Sequence, residues 1–251
     1  MKARIKFEKG GVLRYVGHLD MMRYFQKAIR RSGIPISYSQ GFHPHQHMSF
    51  AMPLGVGVSS EGEYMDIDLE EEINPNKTVD DLNSHMADGV RVISFRYLTE
   101  EDGNAMSSVG AASYFLYLKG GEGLDGDLLM SYKNERFDGK DKMLITKKTK
   151  KSEREIDLKP FVYDFRLFKL DEDYSKKMQS LIPDYETNDF RLNTGDMGIY
   201  LLLSAGSEEN IRPDLFMKYL TGRKEDWEYL PFGIHRIDLL KKDKDGGFVS
   251  L

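Results

Sequence analysis

Half of the six histidines of this chain stand two residues apart in one segment, residues 37–58: His43, His45 and His47. On an extended chain they point to one side, with alternate Cα atoms about 6.6 Å apart. Two neutral imidazoles at this spacing can share a zinc or iron ion, and Asp66 on a following strand could add a carboxylate. Because HxxxH and facial-triad spacings are absent, we expect no bound metal and no cofactor, and hydrogen-bonded histidines lining a solvated groove instead.

A second chemistry would use His18, which opens the segment GHLD, together with His43. Two histidines on opposite sides of a phosphate could act as acid and base in a metal-independent endoribonuclease. Nearby arginines disfavour protonation of an imidazole, and a neutral imidazole is a poor general acid. We therefore expect the chain to bind RNA without cutting it. Asp20 could hold His18 in one tautomer.

A row of basic residues follows His18 at steps of four, three and one: Arg23, Lys27, Arg30 and Arg31. On a helix these positions fall along one face, opposite the apolar stripe. No Asp or Glu occurs in residues 21–32, so no local ion pair is expected to neutralise this face. Guanidinium groups match phosphate geometry, and this face is a candidate RNA-binding surface. Pairing with the acidic part of the protein and binding of another anion are the alternatives.

Further candidates for RNA contact are Arg14, His43 and a second basic run that contains Lys147, Lys148, Lys150 and Lys151. Lys2, Arg4, Lys6 and Lys9 could extend the first patch. Three aromatic residues near that patch could stack on bases: Tyr15, Tyr38 and Phe42. Phe50 is expected in the core. His235 and Arg236 lie on a late strand and could contact a partner.

The charge distribution supports a polyanionic partner for the N-terminal part. Residues 1–58 carry nine Lys and Arg against two acidic residues, whereas the whole chain has a net charge of -5. A local basic field on an acidic protein favours a polyanion more strongly than a uniformly high isoelectric point does.

The elements that must position these residues form the order β-α-β-β-α-β over residues 1–100. Alternating patterns predict strands at residues 3–9, 63–70 and 91–98, with short strands around the histidines. A helix is predicted from His18 to Ser32, and its apolar stripe is Leu19, Met22, Phe25 and Ile29. A second helix is predicted at residues 78–88 with Thr78 as its N-cap. Pro44 indicates that the histidine segment between the two helices is a loop or an edge strand.

The second half repeats a similar order, so the predicted fold is α+β, a tandem of two ferredoxin-like (βαββαβ) domains with antiparallel sheets. The predicted boundaries are residues 1–100 for a basic-faced domain, 101–112 for a linker, and 113–251 for a second domain with a polar insertion near 171–196. The chain has no cysteine, which excludes disulfides and a Cys-bound iron–sulfur cluster on this chain. It has no apolar run of about 20 residues and no signal-like start, so a cytoplasmic protein without membrane contact is expected.

The segment at residues 17–57, with GHLD, the basic helix and SQGFHP, resembles the signature of the radical SAM-linked protein family. REIDLKP (residues 154–160), NIRPDLFMKYLTG (210–222) and IHRIDLL (234–240) also resemble blocks of that family. It is a bacterial family of unestablished function that is encoded beside, or fused to, a radical SAM protein. The resemblance implies a radical SAM protein as partner, but it supplies no catalytic residues.

Together these patterns predict an RNA-binding accessory protein, rather than an enzyme, that works with a radical SAM enzyme on tRNA or ribosomal RNA. The alternatives are the endoribonuclease that uses His18 and His43, and a metal-dependent enzyme that uses the histidine segment.

Overall fold

The computed structural model describes residues 1–118, 126–148, 153–181, 195–207, 209–222 and 232–251. The chain is a mixed α+β protein in which antiparallel pairing dominates the sheet. Its strands are β1 (Lys2–Lys9), β2 (Met48–Phe50), β3 (Ser59–Asp68), β4 (Val90–Tyr97), β5 (Ala111–Leu118), β6 (Leu144–Lys148), β7 (Glu153–Asp157), β8 (Val162–Lys169), β9 (Met197–Ser204), β10 (Phe232–Lys242) and β11 (Phe248–Ser250). Six α-helices lie in the described ranges: α1 (His18–Arg31), α2 (Pro75–Asn83), α3 (Ala105–Ser108), α4 (Gly126–Arg136), α5 (Glu172–Leu181) and α6 (Pro213–Thr221).

Residues 1–110 and 235–251 form one compact unit, and most of the described residues from 111 to 234 form a second. In the parts of the chain with a described structure, no helix has both the length and the apolar character that crossing a membrane requires.

In the first unit, β1 is a central strand that pairs antiparallel with β3 on one edge and with β4 on the other. Ile5 lies opposite both Met65 and Phe95, and these side chains belong to a core that also contains residues of α1. β2 and β10 share the remaining edge of β3: β2 pairs antiparallel with its end, and β10 runs parallel to its start. The element order of residues 1–100 matches the predicted β-α-β-β-α-β order.

In the second unit, β5 pairs with β9 and β9 with β8, all antiparallel. β6 and β7 form a separate two-stranded sheet. α6 ends at Gly222, as the sequence predicts, because this glycine adopts the left-handed conformation (φ 68°) that ends a helix. Residues 235–251, which include most of β10, belong to the first unit, and the predicted tandem of two ferredoxin-like domains is not confirmed by this arrangement.

The second helix starts earlier than its sequence pattern predicts. Asn74, not Thr78, is the N-cap, since its side chain accepts a hydrogen bond from the backbone of Lys77 (3.0 Å). Pro75 suits the first helical position because its φ is already helical and its missing N–H has no partner there. The predicted linker is also partly ordered, since it contains α3 and the start of β5.

Strand β1 is covered on both faces, which corrects the expectation that its basic residues extend a surface patch. Arg4 is 1% exposed and binds Asp66 through Nε (2.7 Å) and Nη2 (3.0 Å). Lys9 is also buried, and its Nζ donates to the carbonyl of Val16 (2.6 Å). Lys6 pairs with Asp238 (3.3 Å). These three cations are held by partners within the same unit, whereas Lys2 is exposed.

The buried stripe of α1 is rotated from the predicted one. Phe25 and Ile29 are buried as expected, but Met21 replaces Leu19, which is 63% exposed. Leu19 lies roughly 200° around the helix from Met21, so both cannot face the core. The rotation leaves the basic positions on the solvent side.

The contact between β3 and β10 leads to a stability prediction at Gly62. A Cβ atom at this position would lie 2.4 Å from the backbone oxygen of Ile237, so the two strands would have to separate. We expect Gly62→Ala to lower the free energy of unfolding by about 2 kcal/mol or more, measured by urea denaturation. The matched control is Gly55→Ala, where the nearest atom is a methyl of Val58 at 3.4 Å. Equal stability of the two variants would contradict the close approach of these strands.

Candidate nucleic-acid interface

The outer face of α1 carries an exposed row of cations. Arg23, Lys27 and Arg30 follow at steps of four and three residues, and Arg31 completes the last turn. α1 begins after Gly17 and ends before Ser32, so all four cations lie within regular helix. Their side chains point away from the core, as the helical spacing predicts.

One ion pair on this face corrects the expectation that α1 has none. Arg23 lies 3.2 Å from Asp20, one turn earlier, and both side chains are largely exposed. An exposed pair of this kind contributes only about 0–1 kcal/mol, so it leaves most of the positive field in place. Lys27, Arg30 and Arg31 make no ion pair with any residue in the described ranges.

Residues 37–47, here called the histidine hairpin, form a short antiparallel turn beside α1. The backbone of Ser39 donates to the carbonyl of His45 (2.9 Å), and that of His47 donates to the carbonyl of Ser37 (2.8 Å). Tyr38 and Gln46 form an isolated bridge between the two arms. Pro44 lies in the turn, where its missing N–H breaks no pairing, as the sequence predicts.

The histidine hairpin is attached to α1 by a buried glutamine. Nε2 of Gln46 donates to the carbonyl of Gln26 (3.4 Å) and to the hydroxyl of Tyr38 (3.3 Å). Gln26 lies in α1 directly beside Lys27 and one turn from Arg23 and Arg30. The hairpin is therefore held next to the cation row.

The tip of the histidine hairpin presents apolar and imidazole groups to solvent. Phe42 is fully exposed (102%), and His43 is exposed beside it. Tyr38 is partly exposed on the arm. Phe50 is buried against Phe7 and Phe25, which confirms the sequence-based expectation that it belongs to the core.

The three histidines do not converge on one point. Nδ1 of His45 bonds the hydroxyl of Ser39 (2.8 Å), whereas Nδ1 of His47 lies 3.7 Å from a carboxylate oxygen of Asp68. Asp66 faces the opposite side of β3 from the core and is occupied by Arg4. Within the described ranges, no three His, Asp or Glu side chains are arranged to hold a metal ion.

His18 lies at the start of α1, with its ring edge against Phe50 at a centroid distance of 5.3 Å. Its neighbour Asp20 is engaged with Arg23. No hydrogen bond or ring contact joins His18 to His43 in the structure as described. The two candidate acid–base residues both lie in the first unit.

A cavity of about 600 Å³ lies at β3, on the side away from α1. Its lining includes His47, Asp66, Asp68 and Glu100. The carboxylates make this cavity unfavourable for phosphate groups, since like charges repel at short range. The α1 face is the better candidate for a polyanion.

The sequence matches a model of a known protein family. The family model described as "Uncharacterized protein conserved in bacteria (DUF2344)" matches residues 2–213. The chain belongs to the DUF2344 family. No curated protein gives a significant match. The match includes α1 and the histidine hairpin but ends before Arg236. The family description does not mention radical SAM proteins.

Among solved structures, the DUF2344 chain is similar to one described as "Crystal Structure of a Cbf5-Nop10-Gar1 Complex". The TM-score is 0.42 at 9% sequence identity, and the alignment covers 96% of this chain and 50% of that chain. The DUF2344 chain thus spans half the length of the structure it matches, and a likeness at this level carries no argument about function.

The second basic run of the DUF2344 chain has an internal acidic partner. Lys147 and Arg154 both bind the carboxylate of Glu209, and Lys147 also donates to the carbonyl of Asn210 (3.0 Å). Burial alone would raise the pKa of Glu209, but the hydrogen bonds from the two cations outweigh it and lower that pKa. Lys150, Lys151 and the side chain of Lys148 lie outside the described residues.

Three other sequence-based candidates are internal. Arg14 is buried, with its guanidinium 4.9 Å from the ring centroid of Tyr15 and Nη2 bonded to the hydroxyl (2.9 Å). Arg236 is buried and binds Glu63 through Nε (2.7 Å) and Nη2 (2.6 Å). His235 is also buried and bonds Ser59 (2.9 Å). None of the three presents a charge to a partner on the surface.

The pair of Glu63 and Arg236, which joins β3 to β10 near Lys9, was not predicted from the sequence. Burial lowers the pKa of Lys9, and the positive charge of Arg236 adds to this effect, whereas Glu63 opposes it. The sequence signal for this pair was Glu63 itself, an acidic residue in a strand in which apolar and polar residues alternate. Its partner lies 173 positions away.

Proposed function

We propose that this DUF2344 chain is an RNA-binding accessory protein that works with a radical SAM enzyme, with tRNA or ribosomal RNA as the modified RNA. RNA would lie across the outer face of α1 and the tip of the histidine hairpin. The observation that carries the proposal is the row of exposed cations on α1, beside a hairpin that presents a fully exposed Phe42.

The local absence of negative charge supports a polyanionic ligand. No Asp or Glu occurs in residues 21–60, which contain α1 from Met21 onward, the histidine hairpin and β2, and Asp20 is the one acidic residue of α1. Lys27, Arg30 and Arg31 have no ion-pair partner in the described ranges, so their full charge is available to phosphates. Arginine donates two parallel hydrogen bonds to a phosphate, which favours a nucleic-acid backbone over a diffuse anion.

An accessory role fits the absence of cysteine from the chain. Without cysteine, it cannot itself hold the iron–sulfur cluster of a radical SAM enzyme. The enzyme partner rests on the resemblance of residues 17–57 to the radical SAM-linked family.

The finer fold assignment belongs with this proposal. We infer that residues 1–100 form a ferredoxin-like domain, because β1, β3 and β4 pair antiparallel in the order β4-β1-β3 and β2 adds to β3. Such a sheet covers one face with α1 and α2 and leaves α1 available to a ligand. The second domain, residues 113–251, is inferred by analogy of element order alone.

The experiment is purification of the tagged full-length chain from its own cells, with identification of bound proteins and sequencing of bound RNA. We expect a radical SAM protein together with tRNA or ribosomal RNA, and we expect the RNA to be lost, but the protein kept, when Arg23, Lys27 and Arg30 are changed to Glu. Recovery of neither partner would contradict the proposal.

The same RNA, incubated with the purified chain with and without a chelator, tests the two enzymatic alternatives, and we expect it to stay intact in both. Cleavage that disappears in His18→Ala or His43→Ala would instead support the endoribonuclease. Cleavage that the chelator stops would support the metal-dependent enzyme.

A further inference from the structure

The exposure of Phe42 is unusual for a large apolar side chain of a folded unit. Burying such a ring is favourable by about 1.5–3 kcal/mol, yet Phe42 is fully exposed at the tip of the histidine hairpin. By contrast, Phe7, Phe25 and Phe50 pack on one another in the core of the same unit. The free energy of burying this ring is therefore available to a ligand.

The hairpin that carries Phe42 is attached to the helix that carries the cations. The two arms of the histidine hairpin are joined by the Ser37–His47 and Ser39–His45 backbone hydrogen bonds. Gln46 donates a hydrogen bond to the carbonyl of Gln26 in α1. Gly41 provides the left-handed conformation (φ 114°) that the turn requires. Phe42 therefore lies at the tip of a hydrogen-bonded hairpin that contacts α1, and not on a long free loop.

The chemistry of the surroundings selects the kind of ligand. Phosphates suit Lys27 and Arg30, and an exposed aromatic ring on the neighbouring hairpin suits the flat face of an unpaired base. A base inside a continuous duplex has both faces covered, so it offers nothing for Phe42 to stack on. An anionic lipid surface fits less well, because Phe42 is one ring between the polar residues Gln40 and His43 instead of a broad apolar face.

We propose that Phe42 stacks on an unpaired base, so that this site takes RNA with a single-stranded loop or end in preference to continuous duplex. The inference rests on the proposed RNA-binding function and adds the class of RNA. Single-stranded regions are where the bases of structured RNA are accessible to side chains.

The test compares two RNAs in fluorescence titrations: a stem with a single-stranded loop that contains 2-aminopurine, and a fully paired duplex of the same length. Wild-type protein should bind the loop RNA more tightly and quench the fluorophore. Phe42→Ala should weaken binding of the loop RNA by about tenfold or more and leave the affinity for duplex within twofold. Phe42→Trp should restore binding and quenching.

Ile93→Ala is the matched control, since Ile93 is another exposed apolar residue of the same unit, and it should change neither affinity. Unchanged binding of the loop RNA by Phe42→Ala, with RNA binding otherwise intact, would overturn the stacking proposal and leave the RNA-binding function standing. Wild-type protein that binds neither RNA would overturn both. Binding of anionic vesicles that needs Phe42, without RNA binding, would replace RNA by a lipid surface.

Discussion

Replacing Arg23, Lys27 and Arg30 together by glutamate is expected to weaken RNA binding at least a hundredfold. Each of the three substitutions removes a charge-assisted hydrogen bond to phosphate worth about 1.5–3 kcal/mol. Every 1.4 kcal/mol of binding free energy is about tenfold in affinity. The reversed charges also repel the backbone. The measurement is the dissociation constant for structured RNA at fixed salt.

The salt dependence of binding should fall in the same variant. The slope of log affinity against log salt decreases by about 0.7 per phosphate contact on a single strand, so the loss of three contacts should flatten it by about 2. A variant that binds weakly but keeps the wild-type slope would indicate that these side chains do not contact phosphates.

The control for charge is a second triple variant, in which Lys77, Arg91 and Lys244 are changed to glutamate. These residues are exposed on the same unit and lie outside α1, and the change in net charge is identical. Folding should survive in both variants, because none of the six side chains is buried. Equal loss of RNA affinity in the two would show that net charge, rather than the α1 face, governs binding.

Asp66→Ala is expected to lower the free energy of unfolding by about 3–5 kcal/mol, because it leaves Arg4 buried without its counter-charge. The same carboxylate also accepts a hydrogen bond from the backbone of Ala105 (2.7 Å), which is lost as well. For a chain of this size the melting temperature should fall by roughly 10 °C. Calorimetry or urea denaturation measures both quantities.

Two comparisons isolate the buried charge as the cause. Asp68→Ala removes a carboxylate two positions along the same strand. That carboxylate is 39% exposed, and its ion-pair partner His47 is 3.7 Å away. The free energy of unfolding should therefore change by about 0.5 kcal/mol or less. The double variant Arg4→Leu with Asp66→Leu should recover most of the loss, since a buried pair can be replaced by apolar groups. Asp66→Ala as stable as Asp68→Ala would contradict the argument.

Local patterns in the sequence determined the elements that carry the candidate site. The 3.6-residue period predicted α1 almost to the residue, and the same period placed its cations together on the solvent side. Pro44 predicted a loop or an edge strand at the position where the turn of the histidine hairpin lies. These features depend on residues close together in the chain, so the sequence alone contains the information.

The tertiary structure decided which cations remain available to a ligand. A period of two residues predicted one wet face for β1, but pairing on both edges and cover on both faces buried Arg4 and Lys9. The same holds for Arg236, whose partner Glu63 lies 173 positions away. Periodicity shows that a face is polar; whether that face meets water or a distant carboxylate depends on long-range packing, which no local pattern records.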